Sequence, residues 1–260
     1  MRKYFLFSWM ALQEMAEYRV NFLWRIAGTA IYTLALYSFW IAILGSGFGN
    51  QYFTAQTFAL YYLAITFVQT LTDSEIWRIA NPIYSGRFST DLLKPYSFSL
   101  KVIAESLPDK FVQIFIISLV YLIIHSLGAK YNLNIGQFLL VLLSLALSWA
   151  GKFFIGMFLG GLAFWFKRVQ GFVSLFWNIG GLFSGEMIPI VFLPALLLNI
   201  STKLPFRYWL YFPAQLMLGN VTDSEIRIGL TLQLIWLIIF FFASKILWSK
   251  AAKHFESIGN

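Results

Sequence analysis

The amino-acid sequence predicts an all-α integral membrane protein. It would have six transmembrane helices, an N-terminal interfacial helix, and an outer re-entrant helical hairpin between the fifth and sixth spans. Three observations lead there. Hydrophobic residues make up 59% of the 260 and charged residues only 12%, whereas a soluble domain carries about 25% charged residues. Uncharged apolar stretches of span length recur along the chain, and basic residues gather at one end of those stretches. A water-facing surface would need more polar side chains than this, so lipid is the natural solvent. The aromatic content, 28 Phe, 13 Tyr and 10 Trp, suits lipid-facing Phe and interfacial Trp and Tyr.

The elements follow in order within a single transmembrane domain, 1–260. Over residues 1–20, Phe5, Trp9, Leu12 and Ala16 fall on one helical face, with Lys3 and Glu14 well off it. That is the pattern of a helix lying in the interface, the alternative being an irregular extension of the first span. Glu14, Glu17 and Arg19 interrupt this run and no small-residue cleavage site follows, so a cleavable signal peptide is not expected. A span needs about 20 apolar residues. The stretches 22–44, 55–73, 109–127, 137–165 and 228–248 meet or approach this, and 171–186 is a shorter sixth.

Orientation comes from the basic residues. The polar stretch 74–110 holds Arg78, Arg87, Lys94, Lys101 and Lys110, broken by Pro82, Gly86 and Pro95. In a six-span chain these share a side with Arg2, Lys3, Arg19, Arg25, Lys167, Arg168, Lys245, Lys250 and Lys253. Only Lys130, Lys203, Arg207 and Arg227 fall opposite, and Lys152 is intramembrane, which accounts for all 19. The positive-inside rule then places both termini in the cytoplasm of a multi-pass protein of the cell's inner (plasma) membrane. The same distribution explains the net charge of +8 without nucleic acid. Residues 187–218 are apolar but cut by Pro189, Pro194, Pro205 and Pro213. Irregular backbone survives at membrane depth only when protein or a cavity covers it, so this stretch reads as a re-entrant outer segment or, failing that, an apolar loop on the bilayer.

A charge in mid-span is costly unless paired or hydrated. Lys152 lies about 21 Å up the fourth span from Phe166, and Glu186 about 27 Å up from Arg168, at about 1.5 Å per residue. Lys152 either pairs with Glu186 or faces a hydrated cleft alone. Gly156, Gly160 and Gly161 on the same helix allow close helix approach, within the subunit or at a dimer seam. Thr-Asp-Ser-Glu-Ile occurs at 72–76 and 222–226. Thr followed three residues later by Glu is a capping box, the reading taken for both copies.

Catalysis has little to stand on. With no cysteine, disulfides, thiolate chemistry and Cys-based metal sites drop out and the redox compartment stays undetermined. His125 falls near an outer helix end and His254 in the cytoplasmic tail, so they cannot share a metal. The carboxylates form no buried pair on one helix. The acceptor patterns at Asn199 and Asn220 read as chance matches. No GxxxxGK[ST] phosphate loop occurs, so this chain does not cradle a nucleotide in that way.

Taken together, an interfacial helix, six spans, a basic loop after the second and a proline-punctuated segment before the last resemble the permease (transmembrane) subunit of ABC-2 type ATP-binding-cassette transporters. Gly86-Arg87-Phe88 with Leu92-Leu93-Lys94-Pro95 resembles the G-x-[few]-L-L-x-P signature of a bacterial exporter subgroup. Ser184-Gly185-Glu186 with Pro189, Pro194, Leu204-Pro205-Phe206 and Pro213 resembles that subgroup's outer segment. The resemblance implies a permease dimer, identical or paralogous, bound to two ATP-binding subunits. Those subunits would hold ATP and Mg, leaving this chain without a cofactor. It also implies that the loop docks the ATPase through Glu75, Ile76, Trp77, Arg78, Gly86, Arg87, Phe88, Asp91, Lys94 and Pro95. Such a surface needs apolar anchors with polar edges, and Ile76, Trp77, Ile79 and Phe88 are candidates. The apolar outer segment favours a lipophilic, amphipathic or lipid-linked cargo. A secondary transporter or channel would instead show an inverted repeat, for which the pentapeptide is the sole candidate. A lipid-modifying enzyme would need an interfacial His/Asp/Glu constellation.

Overall fold

A computed structural model describes residues 2–45, 54–126, 134–166 and 168–254, and among these there is no strand. Lys130 and Lys167 lie outside the described residues, as do the side chains of Arg25, His125, Lys253 and His254. The helices are α1 (Arg2–Glu17), α2 (Arg19–Gly45), α3 (Ala55–Leu71), α4 (Ile76–Tyr84), α5 (Phe88–Leu92), α6 (Phe98–Ser126), α7 (Ile135–Gly161), α8 (Gln170–Phe183), α9 (Ala195–Ser201), α10 (Pro205–Trp209), α11 (Tyr211–Met217) and α12 (Asp223–His254). Among the described residues three helices are long and apolar enough to cross a membrane: Arg19–Gly45, Ile135–Phe164 and Asp223–Ala251. α3 has 17 residues and α8 only 14.

The apolar stretches become helices because nothing inside them breaks the backbone, and polar residues punctuate their ends. Asn134 starts α7 with a reciprocal cap, its side chain accepting from the Gln137 amide at 2.7 Å. The second pentapeptide does the same for α12. The Thr222 amide donates to Glu225 Oε2 at 2.8 Å and the Glu225 amide to Thr222 Oγ1 at 3.4 Å. Thr222→Ala should therefore cost about 1 kcal/mol. Amide exchange in the first turn of α12 measures it.

The first pentapeptide is not a cap, contrary to the sequence reading. Thr72 closes α3, its hydroxyl donating back to Val68 O at 2.7 Å. Glu75 sits in the left-handed region at φ 53 with no capping bond. Its carboxylate is drawn instead to Arg78 at 3.0 Å and to Lys110, on α6, at 3.3 Å.

The polar loop is shorter than the sequence suggests. α6 already begins at Phe98 and runs through Pro108. A proline inside a helix leaves the carbonyl four residues back without its donor. Here that carbonyl belongs to Ala104, and Ser8 of α1 donates to it at 2.7 Å. α1 is held along α6 by this bond, by the Tyr4 hydroxyl accepting from the Ser97 amide at 3.1 Å, and by Phe7 edge-on to Tyr96 at 5.0 Å. The face with Phe5, Trp9, Leu12 and Ala16 is turned away from these contacts and exposed.

α7 and α12 form the central pair. Gln233 of α12 is fully buried, with Nε2 2.8 Å from Ser148 Oγ, 3.0 Å from Ser144 Oγ and 2.8 Å from Tyr208 O. Of the two roles left open for the α7 glycines, packing within the chain is the one realised. A Cβ on Gly160 would sit 2.7 Å from Ile79 Cγ2, and one on Gly156 would overlap the carbonyl of Ser74. α4 and the turn before it therefore lie directly on α7.

Candidate functional site

Two regions gather the sequence-nominated residues. The first is the end of the bundle carrying α4 and α5. A groove of about 720 Å³ runs there between α1, α4, α5 and α6, bordered by Asp73, Trp77, Asn81, Arg87, Thr90 and Lys94. Its floor is an ion-pair lattice. Arg78 bridges Glu75 and, at 2.5 Å, Asp109, while Lys101 binds Asp91 at 2.9 Å and reaches Glu105 at 3.9 Å. Burial disfavours charge on Glu75 and raises its carboxyl pKa, with Lys110 and Arg78 offsetting part of the rise. For Arg78 burial acts against the charge, but Glu75 and Asp109 outweigh it and raise the pKa.

Much of the nominated docking set is thus committed internally. Ile76, Ile79 and Phe88 are buried, Phe88 meeting Phe98, Phe164 and Trp248 edge-on. Ile76 and Ile79 are buried because the amphipathic α4 turns its apolar stripe onto α7, and Phe88 of α5 because those three rings enclose it. Glu75, Arg78 and Asp91 are held in the lattice, and Gly86 (φ +71) makes the turn between α4 and α5. Trp77, Arg87, Lys94 and Pro95 remain exposed, with the Lys3 ammonium donating to Pro95 O. Leu92 and Leu93 belong to the loop's signature but not to the docking set named from the sequence, and Leu93 is 87% exposed.

The second region lies between the spans. Lys152 is 2% exposed and donates to Gln69 Oε1 of α3 at 2.6 Å, with its ammonium 5.9 Å from the Trp177 ring centre. In this arrangement the ammonium is hydrogen-bonded to Gln69 rather than directly to Glu186, with which it shares a cavity. The reason is placement. Glu186 follows a reversal of the chain, so its carboxylate lies by Gly181 while Gln69 stands directly before the ammonium. All three side chains nevertheless line one small cavity with Trp177, Ser184 and Trp209. Gln69 and Gln233 escaped sequence reasoning because neutral amides add no charge to a span.

Gly185 makes the reversal. It has φ +82 and a Cβ there would lie 2.6 Å from the Tyr61 hydroxyl, which donates to the Gly185 carbonyl; both facts demand glycine. Trp40 Nε1 holds the next turn through Met187 O at 3.0 Å. Each proline then sits where a missing N–H is cheap. Pro189 precedes a 3-10 turn at Ile190–Phe192, Pro194 precedes α9, Pro205 opens α10, and Pro213 lies in the first turn of α11. Phe206 packs on Gly180 and on Phe176 at 4.9 Å between ring centres. α10 and α11 are buried against α3, α7 and α12.

Long apolar helices, short proline-started helices packed among them and a polar groove at one end define a helical membrane protein. No curated protein matches the chain. A family model described as ABC-2 family transporter protein matches residues 20–259, and the chain belongs to that family. Its members are membrane permeases that work with an ATP-binding subunit.

Proposed function

We propose that this chain is the permease of an ATP-driven exporter, crossing the inner (plasma) membrane six times with both termini cytoplasmic. In this reading α2, α3, α6, α7, α8 and α12 are the spans. α1 rests in the interface with Phe5, Trp9 and Leu12 toward lipid. Residues 187–218 enter from the outer face and return. Two copies, or one copy and a paralogue, flank the path of a lipophilic or amphipathic substrate, and two ATPase subunits supply ATP and Mg.

The carrying observation is the two-sided character of α4. One side is seated on α7 at Gly160, with the turn before it against Gly156, while the other offers Trp77 (44% exposed) at the rim of a groove. A partner pressing on Trp77, Leu93, Arg87 and Lys94 would push on α7, and α7 carries Lys152 one turn above Gly156. Apolar anchors ringed by cations suit a protein interface. The test is co-expression with the ATPase encoded beside this chain. A stable complex with substrate-modulated ATP hydrolysis is expected, and Trp77→Ala with Leu93→Ala should weaken capture at least about tenfold, anchor residues being worth about 1.4 kcal/mol or more each. A chain that purifies alone and transports without ATP would make it a secondary transporter or channel.

A further inference from the structure

A third cavity, between α2 and α3, is absorbed by neither region above. It holds about 40 Å³ and is lined by Tyr32, Thr33, Tyr62, Thr66, Thr70 and Glu186 among others. That is more than a single water needs and about the size of a small charged head. Leu36 and Ile65 supply apolar wall, Gln69 and Glu186 are shared with the Lys152 cavity, and the remaining polar lining is hydroxyl. Thr33 and Thr66 bridge the two helices through their hydroxyls at 2.9 Å. The Tyr62 hydroxyl is buried with no hydrogen-bond partner among the described residues. At the end stands the Glu186 carboxylate. No described donor lies within hydrogen-bonding distance of it, and the nearby cation, Lys152, is turned to Gln69.

The cavity's position matters as much. Tyr32 stands about 20 Å along α2 from Arg19 at about 1.5 Å per residue, well inside the hydrocarbon depth of a span. α2 is thinly covered by the rest of the chain, leaving Tyr32 and its neighbours Ile31 and Leu34 exposed. A ligand here would place a polar head inside and an apolar tail along α2. A carboxylate within lipid depth seeks a cation, aromatic faces attract the same charge, and threonine and tyrosine oxygens accept its N–H donors.

We propose that Glu186, with Tyr32 and Tyr62, forms a recognition site for the protonated amine head of an amphipathic substrate entering between α2 and α3. This names a substrate class for the transport activity proposed above and rests on that reading for its purpose. Its test does not depend on the ATPase. Full-length permease in nanodiscs would be photolabelled with a twelve-carbon primary amine carrying a mid-chain diazirine, and with the matching alcohol, and the labelled peptides mapped by mass spectrometry. The amine should label α2 and α3 in preference to the alcohol. Glu186→Gln should cut the amine's labelling at least about tenfold, the scale of losing a charge-assisted bond, while Glu186→Asp keeps most of it and Tyr32→Phe keeps the aromatic contribution. The alcohol's labelling should not respond to any of the three. Monodispersity of each variant confirms folding, with Glu186→Asp and Tyr32→Phe as the variants least able to disturb it. Equal labelling by amine and alcohol, or amine labelling unchanged in Glu186→Gln, would overturn the site. Failure of the ATPase to bind would count against the exporter reading alone.

Discussion

Gly156→Ala should be among the most damaging single-methyl substitutions in this chain. The added carbon overlaps the carbonyl oxygen of Ser74, a backbone atom that no rotamer change can move aside. Either α7 or the turn between α3 and α4 must shift. Overpacking a tight contact costs about 1–3 kcal/mol and occasionally more, and a backbone neighbour places this site at the upper end. Any such shift also frees the turn that presents Trp77. The expected result is a lower melting temperature of the purified permease together with loss of substrate-modulated ATP hydrolysis in the assembled complex. Gly28→Ala and Gly171→Ala are the controls. A Cβ at either meets nothing within 4 Å, and replacing a helical glycine by alanine favours the helix by up to about 1 kcal/mol. A Gly156→Ala protein as stable and as well coupled as these would remove the α4–α7 contact from the mechanism.

The second large effect concerns Lys152, and it is asymmetric. Gln69→Leu removes the one hydrogen-bond partner, among the described residues, of an ammonium that is almost fully buried. A buried charge stripped of its partner costs about 3–5 kcal/mol. Lys152→Met removes the charge instead and leaves Gln69, a neutral amide, unsatisfied at about 1–3 kcal/mol. The combination of Gln69→Leu with Lys152→Met leaves neither group stranded. The order of melting temperatures should be parent, then the double variant close behind it, then Lys152→Met, then Gln69→Leu lowest. A Gln69→Leu chain as stable as the parent would mean that Lys152 swings to another partner, and Glu186 is the carboxylate sharing its cavity.

Much of the fold was legible because lipid leaves a chain few options. Backbone groups without water must bond within a helix, so each uninterrupted apolar stretch became one, with boundaries set by caps such as Asn134 and Thr222. The glycines of α7 and the prolines of 187–218 also advertised themselves, since each has a backbone property no other residue shares. Less legible were the exposures on α4 and α5. Ile76, Trp77, Ile79 and Phe88 look equally apolar along the sequence, yet only Trp77 is exposed. The two copies of one pentapeptide diverged because Lys110 and Arg78 pair with Glu75, while among the described residues no cation pairs with Glu225 within 4 Å.

By itself, then, the sequence determined the solvent, the helices and the family, because composition and periodicity answer to lipid before any helix meets another. Partner choice was settled only in three dimensions. That Lys152 takes Gln69 from 83 residues away, that Ser8 fills the gap made by Pro108, and that Glu186 is left facing hydroxyls between α2 and α3 all depend on which faces the spans turn to one another. Side-chain reach is a few ångströms, and no spacing along the chain encodes it.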